Sequence, residues 1–413
     1  MVKRILLIAY HFPPLQGSSG IQRTLRFAQY LPKLGWQPII LTANPTAYQH
    51  VGATQLPKEF EQISIYRSFA LDTARHLSVL KRYPRILAVP DRWVSWWLSA
   101  VPQGLYLIKK FKPDVIWSTF PIATAHLIGY TLNRMTGIPW VADFRDPMVQ
   151  PDYPTDPLIY RSYQWIEKKT IHHCSRAVFT TPNTRKDYVS RFSTETEARF
   201  KVIENGYDEQ IFTDVVPEHQ PQQNKQLTLI HSGIIYSSER DPTHFFEALS
   251  DLIREKRISS ESLKIILRAT YNDHFLQQLI DRFSIASIVK LAPPISYKEA
   301  IAEMLSADGL IILQASNCNN QIPAKLYEYL RTQKPILALT DPEGDTGLKL
   351  KSLGFDAICQ LDALSDIKEL LLKFLDGLKE ENFSQPLSLK QLQLNSRESR
   401  TTELVEILNE IDT

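Results

Sequence analysis

Four short segments carry residue types that could do chemistry. The richest runs Asn319-Asn-Gln-Ile-Pro323-Ala-Lys325-Leu-Tyr-Glu328-Tyr-Leu-Arg-Thr-Gln-Lys-Pro335. Pro323 suits a helix start, and Lys325 and Glu328 then share one face of the first turns. A lysine there can neutralise a phosphate. A glutamate there can accept hydrogen bonds from both hydroxyls of a ribose. The same spacing also suits an i,i+3 salt bridge on a solvated face. In the second segment the apolar run Leu227–His231 leads into Ser232-Gly233 and on to Arg240-Asp241-Pro242. Gly233 lets the backbone approach a ligand closely. Arg240, just before an expected helix start with Asp241 as its cap, suits a diphosphate. Its alternative is a surface pair with Glu239 or Asp241.

The third segment is Pro139-Trp-Val-Ala-Asp143 followed by Phe144-Arg145-Asp146-Pro147. Two carboxylates and a guanidinium at a strand's carboxyl end can hold sugar hydroxyls, with Arg145 orienting an acid. They can equally form an internal ion pair that shapes the loop. The fourth runs from Tyr10 through His-Phe-Pro-Pro-Leu-Gln to Gly17-Ser-Ser-Gly20. Small residues at a strand-to-helix turn expose backbone N–H groups to an anion. A merely flexible loop is the alternative.

Several chemistries find no support. There is no Gly-Lys-Ser/Thr phosphate loop and no G-x-G-x-x-G fingerprint, which disfavours a dehydrogenase. No D-x-D triplet occurs, the histidines lack zinc spacing, and His172-His173 fall on opposite sides of a helix. No catalytic metal is expected. Cys174, Cys318 and Cys359 form no C-x-x-C pair, which suits a reducing, cytoplasmic compartment. The chain's 47 Lys+Arg and 45 Asp+Glu leave a net charge of +2, so a general nucleic-acid binder is not expected. With 413 residues and 43% hydrophobic content, two or three globular domains fit.

The elements that must position these residues are legible as continuous apolar runs. They are Ile5–Ala9, Pro38–Thr42, Asp114–Trp117, Pro139–Asp143 and Ala177–Thr180, then Leu227–His231, Leu263–Leu267, Gly309–Leu313 and Pro335–Thr340. Runs of this kind, alternating with helix-periodic segments, read as parallel strands covered on both faces. Ile21, Leu25, Ala28 and Leu31 share one helical face, and Ser296-Tyr-Lys-Glu299 has capping-box spacing. A Gln- and Pro-rich stretch, 214–226, reads as a linker between an α/β domain over 1–213 and another over 227–385. A polar tail over 386–413 turns helical at about Thr401–Ile411. The fold class is therefore α/β: two Rossmann-like, doubly wound parallel-sheet domains facing a cleft, where such sheets bind ligands. The apolar stretch Trp93–Ile108 is interrupted by Pro102-Gln103-Gly104, and Val115–Leu132 reads as a strand, a turn and a helix. Neither is long enough to span a membrane.

Taken together, Tyr10-His-Phe-Pro-Pro14 with Gly17 and Gly20, the segment Pro139–Pro147, Val202-Ile-Glu-Asn-Gly206-Tyr-Asp208, His231-Ser-Gly233 with Arg240, and Pro323–Tyr329 occur in an order that resembles glycosyltransferase family 4, the retaining GT-B transferases. The resemblance covers nearly the whole chain. It implies that Gly17 and Gly20 lie near the donor phosphates and the acceptor. Gly233, next to His231, and Arg240 would bind the diphosphate. Glu328 matches the second acid of the E-x7-E signature and would hold the ribose. Backbone near Pro294 would cradle the base, and Asn205-Gly206 would close the edge between domains. The last helix would return to the first domain.

Three departures stand out. Asn320 occupies the first acid of that signature, Ile234 stands where many relatives carry Arg, and Asp143-Phe-Arg-Asp146 replaces an acceptor-side His-Asp pair. Lys325 would supply the missing cation. The resemblance implies transfer of a sugar from a nucleotide-diphosphate donor, UDP- or GDP-linked, to a glycan or lipid-linked hydroxyl with retention. The expected setting is surface polysaccharide or glycoconjugate assembly. A sugar-nucleotide epimerase on the same fold and a non-catalytic nucleotide-sugar-binding partner subunit are the alternatives. Finally, Arg75, His76, Lys81, Arg82, Arg85 and Arg92 precede Trp93-Val-Ser-Trp96-Trp97. Basic residues followed by aromatics suit peripheral contact with the inner membrane face; aromatics as core anchors are the alternative.

Overall fold

The apolar runs build two parallel sheets. The computed structural model describes residues 2–15, 20–52, 60, 63–80, 82–151, 153–215, 226–380 and 387–411. The first sheet contains β1 (Lys3–Ile8), β2 (Trp36–Ala43), β3 (Ser64–Ser68), β4 (Val115–Thr119), β5 (Trp140–Asp143), β6 (Arg176–Phe179) and β7 (Phe200–Val202). Their order is β3-β2-β1-β4-β5-β6-β7. The second contains β8 (Leu227–Ser232), β9 (Leu263–Arg268), β10 (Val289–Ala292), β11 (Gly309–Leu313), β12 (Ile336–Leu339) and β13 (Ile358–Cys359), in the order β10-β9-β8-β11-β12-β13. Each sheet reverses its winding once, between β1 and β4 and between β8 and β11. Such switch points leave room for a ligand beyond the strands' carboxyl ends.

Both faces of each sheet are buried, as continuous apolar strands require. In β1, Leu6 and Ile8 join one core while Ile5 and Leu7 join another on the opposite face. In β11, Ile311 and Leu313 face one core and Leu310 and Ile312 the other. All nine runs read from the sequence are strands. The four that had no apolar run, β3, β7, β10 and β13, are the four sheet edges. Edge strands are only partly covered: Ser64-Ile-Tyr-Arg-Ser68 has four half-exposed residues, so no continuous run forms.

The chain divides into Met1–Asn205 with Arg397–Thr413, and Gly206–Ser396. The first break comes ahead of the expected linker, of which 216–225 lie outside the described residues. Gly206–Asp214 belong to the second unit because Phe212 and Tyr207 are buried in its core. There Tyr207 donates its N–H to the Asn395 carbonyl (3.1 Å) and its Oη to the Leu392 carbonyl (3.0 Å). The tail therefore contributes a short helix, Leu389–Leu394, to the second unit. The last helix, Arg397–Ile411, joins the first, where Leu404, Ile407 and Leu408 pack with Leu25 and Ala28 of the helix Gly20–Tyr30.

Two expectations need correction. Ser95–Phe111 is one helix that runs through Pro102. Pro102 sits on its solvent side, where water can meet the carbonyl left without a donor. The helix Thr243–Arg254 starts one residue later than expected, with Pro242 at the cap position. Asp241 still accepts the Thr243 N–H at 2.9 Å. The Ser296–Glu299 capping box forms as read. No helix among the described residues is long and apolar enough to cross a membrane.

Candidate functional site

At the carboxyl end of β8 the chain turns through Gly233 at φ +111°, a conformation that L side chains rarely adopt. A Cβ at this position would meet Lys325 Nζ at 3.1 Å. Glycine therefore leaves backbone and ammonium side by side. Tyr329 pins the turn, its hydroxyl accepting the Ser232 N–H at 2.9 Å. Lys325 opens the helix Lys325–Thr332, whose Leu326 and Leu330 are fully buried.

The Lys325 ammonium does not pair with a carboxylate on its own helix. Its Nζ lies 2.9 Å from His231 Nε2, while His231 Nδ1 lies 3.0 Å from the Ile311 carbonyl. This pattern assigns the proton to Nδ1 and makes Nε2 an acceptor. Burial, reinforced by Lys325 and Arg240, holds the His231 imidazole well below its usual range. Burial and the neighbouring Arg240 likewise hold the Lys325 ammonium well below the usual lysine range, and Glu328 opposes them. Two cations that depress protonation at one point define a place where an anion is favourable.

Arg240 lies in the turn before the helix Thr243–Arg254. It donates Nη1 to the Ile234 carbonyl at 2.9 Å, and Glu239 is 3.9 Å away. Ile234 thus supplies its carbonyl to hold Arg240, although its side chain cannot replace a cation. Glu328 accepts a hydrogen bond from Tyr297 Oη at 2.5 Å. Tyr297 is the first residue after the Ser296 cap. Sequence reasoning missed it, since only the fold brings the two helices together. Pro294 is exposed in the segment after β10, and the Pro293 carbonyl accepts from Arg268 at 2.8 Å. Asn320 lies in the loop between β11 and this helix. That loop is held by Gln314, whose side chain donates to the carbonyls of Cys318 (2.7 Å) and Gln321 (2.9 Å).

In the first unit, Asp143 at the end of β5 is fully buried. Arg23 grips it from the helix Gly20–Tyr30, with Nη2 2.8 Å from Oδ1 and Nε 2.9 Å from Oδ2. Thr119 donates to Oδ2 at 2.9 Å. Arg23 also donates to the carbonyls of Ile203 and Glu204. Asp143 forms an internal ion pair, but with Arg23 of the first helix and not with Arg145 of its own segment. Its carboxylate ties β4, β5, the first helix and the exit of β7 together. Nothing local in the sequence marks Arg23.

Arg145 sits at φ +47°, a left-handed turn held where Thr180 Oγ1 donates to its carbonyl at 2.5 Å. Burial raises the Asp146 carboxyl above its usual range, against the pull of Arg145. Burial, aided by the charge of Arg145, lowers His11 to about 3. His11, just past the end of β1, and Asp146, just past the end of β5, thus both sense the charge of Arg145. Gly20 is the buried first residue of its helix, and Gly17 lies outside the described residues. Asn205 ends this unit, its carbonyl accepting from Arg400 at 3.1 Å, and Gly206 begins the next.

Of the aromatics after the basic stretch, Trp96 is a core anchor, and Trp93 and Trp97 are half-buried against the same core. Trp96 is fully buried and donates to Ser68 Oγ at 2.9 Å. Trp97 donates to Thr131 Oγ1 at 3.0 Å, and Trp93 packs on Tyr10. Among the described residues no cluster of three or more His, Cys, Asp or Glu could hold a metal ion.

Comparison with known proteins bears on the fold and on the first unit's family. Against curated proteins the sequence finds no match. Solved structures with a similar fold include sucrose-phosphate synthase from Thermosynechococcus elongatus, with TM-score 0.68, 11% identity and 99% coverage of each chain. HepE from Anabaena in complex with UDP-glucose gives TM-score 0.62 and 12% identity over 98% of this chain and 99% of that one. A UDP-N-acetylglucosamine 2-epimerase gives TM-score 0.55 and 12% identity over 98% and 95%. Residues 20–211 match the family profile Glycosyltransferase Family 4. The two parallel-sheet α/β units have the GT-B fold, and over residues 20–211 the chain is similar to glycosyltransferase family 4.

Proposed function

We propose that this chain moves a sugar from a nucleotide-diphosphate donor, UDP- or GDP-linked, to a hydroxyl of a glycan or lipid-linked acceptor, with retention, in surface polysaccharide or glycoconjugate assembly on the cytoplasmic side. The reading rests above all on Lys325 Nζ, held 2.9 Å from a neutral His231 beside the open face of Gly233. In the second unit a diphosphate would lie against Gly233, Arg240 and Lys325. Glu328, oriented by Tyr297, would take the ribose hydroxyls, and backbone near Pro294 would border the base. Anion binding would restore the proton that Lys325 holds weakly, which couples affinity to pH.

As the bond from the anomeric carbon to the diphosphate oxygen lengthens, negative charge grows on the leaving group. Arg240 and Lys325 would stabilise it as fixed charges. No side chain is assigned as a nucleophile. A departing phosphate oxygen would take the acceptor's proton as the new glycosidic bond forms on the same face. In the first unit, His11, Arg145 and Asp146 would bind acceptor hydroxyls, with Asp143 as a positioning residue. Charge stabilisation by two side chains replaces the role of a D-x-D-bound metal, so turnover should persist in EDTA.

Calorimetry with UDP, GDP, ADP and dTDP tests the donor site. One nucleotide should bind selectively, Glu328→Ala should abolish binding, and Tyr297→Phe should weaken it about tenfold. Affinity should fall as pH rises above the free-state pKa of Lys325, because binding takes up a proton. Failure of all four nucleotides to bind would sink the assignment. Turnover of a sugar nucleotide without acceptor would favour an epimerase, and binding without any turnover a partner subunit.

A further inference from the structure

The stretch between the third strand and the helix Ser95–Phe111 is basic and carries exposed aliphatic side chains. Residues 73–90 contain Arg75, Lys81, Arg82 and Arg85 and no Asp or Glu, in a chain whose net charge is only +2. Lys81 lies outside the described residues. Val79 and Arg82 exchange backbone hydrogen bonds at 2.8 and 2.9 Å, closing a tight turn. Leu80 stands at its tip with φ +51° and a side chain 91% exposed. Val79 is 75% and Ile86 66% exposed, and Leu77 and Leu87 are also open to solvent.

The backbone of the stretch folds back on itself. Thr73 Oγ1 donates to the Leu87 carbonyl at 2.6 Å, and the Thr73 N–H donates to the Arg92 carbonyl at 2.9 Å, joining the two halves of the stretch. Arg92 is neutralised by Asp72, and Arg85 pairs with Asp156. Arg75 donates to the Tyr48 carbonyl at 2.6 Å, a neutral acceptor that leaves its charge in place. Arg82 is exposed beside Leu80. A bulky leucine in a left-handed turn is unfavourable, and a fully exposed one gains nothing in water. The apolar side chain gains where the tip meets an apolar phase, and the surrounding cations select a negatively charged one.

We propose that Leu80, Val79 and Ile86 insert into the surface of an anionic lipid bilayer, with Arg75 and Arg82 contacting its headgroup phosphates. Docking is carried by this aliphatic turn and not by Trp96, which is fully buried, or by Trp93 and Trp97, which pack against the core. The inference does not depend on which donor or acceptor the chain uses.

Flotation of the full chain tests it, with vesicles of phosphatidylcholine alone and of phosphatidylcholine with phosphatidylglycerol. The chain should float only with the anionic vesicles, and less at high salt. Leu80→Asn should weaken flotation about tenfold. Asparagine tolerates the left-handed turn better than leucine, so this variant should melt no lower than the parent. Ile86→Asp should weaken flotation about tenfold independently, and Arg82→Gln about fivefold. No flotation with anionic vesicles, or equal flotation of the parent and both apolar variants, would overturn the proposal. So would self-association without vesicle binding that Leu80→Asn abolishes; that result would assign the surface to a second copy of the chain.

Discussion

Asp143 illustrates how a residue type can be right and its partner unforeseeable. A carboxylate at the end of a central strand faces a switch point, where a sugar hydroxyl could meet it. Here Arg23 and Thr119 already occupy both of its oxygens. The pair lies in the interior, so removing one partner leaves an uncompensated buried charge. Arg23→Ala should lower stability by about 3–5 kcal/mol in urea denaturation. The double variant Arg23→Met with Asp143→Leu should recover much of that loss. A single-variant loss below about 1 kcal/mol would show that the pair is solvated. Lys325 and Glu328 make the opposite case: their spacing was readable. What could not be read is that Lys325 turns to His231 while Glu328 receives Tyr297.

At the scale of elements, a parallel strand covered on both faces needs apolar residues at successive positions, and this makes it visible in a sequence. Edge strands lack that requirement, and β3, β7, β10 and β13 left no such trace. The last helix shows another limit. Leu404 and Ile407 have helical spacing, yet spacing does not say which sheet they cover. They complete the first unit's core against Leu25 and Ala28. Leu404→Ala should therefore destabilise the first unit by about 2–5 kcal/mol. The measurement is limited proteolysis or a two-transition melt, in which the first unit's transition should move and the second's should not. A shift confined to the second unit would contradict the division of the chain.

Across the whole molecule, buried neutral histidines set a common acid limit. His126 is fully buried, with Nδ1 2.8 Å from Ser118 Oγ, and Trp140 Nε1 donates to the same hydroxyl at 2.9 Å. The Ser118 hydroxyl thus bridges the two rings. Burial lowers His126 to about 3 and places His231 well below its ordinary value. The unfolded chain protonates these rings near 6.5, so it binds more protons than the folded chain between about 6.5 and 3. Stability is thus fully present above pH 6.5 and declines as pH falls, by about 1.4 kcal/mol per pH unit for each such histidine. Denaturation at a series of pH values should show this slope, and His126→Gln should reduce it. A profile flat between pH 6.5 and 5 would refute the assignment of neutral, buried rings.

The sequence by itself determined the α/β class, the nine central strands and the segments beyond them that carry cations and carboxylates. These follow from local rules: double burial forces apolar runs, and glycine or proline marks the turns. Tertiary structure alone decided what each charged group faces. It put Arg23 on Asp143, 120 residues away, and Lys325 on His231, 94 residues away. It also buried Trp96, packed Trp93 and Trp97 against the core and left Leu80 in the open. Such pairings depend on strand order and on where helices return to the sheet, and no periodicity along the chain encodes that distance.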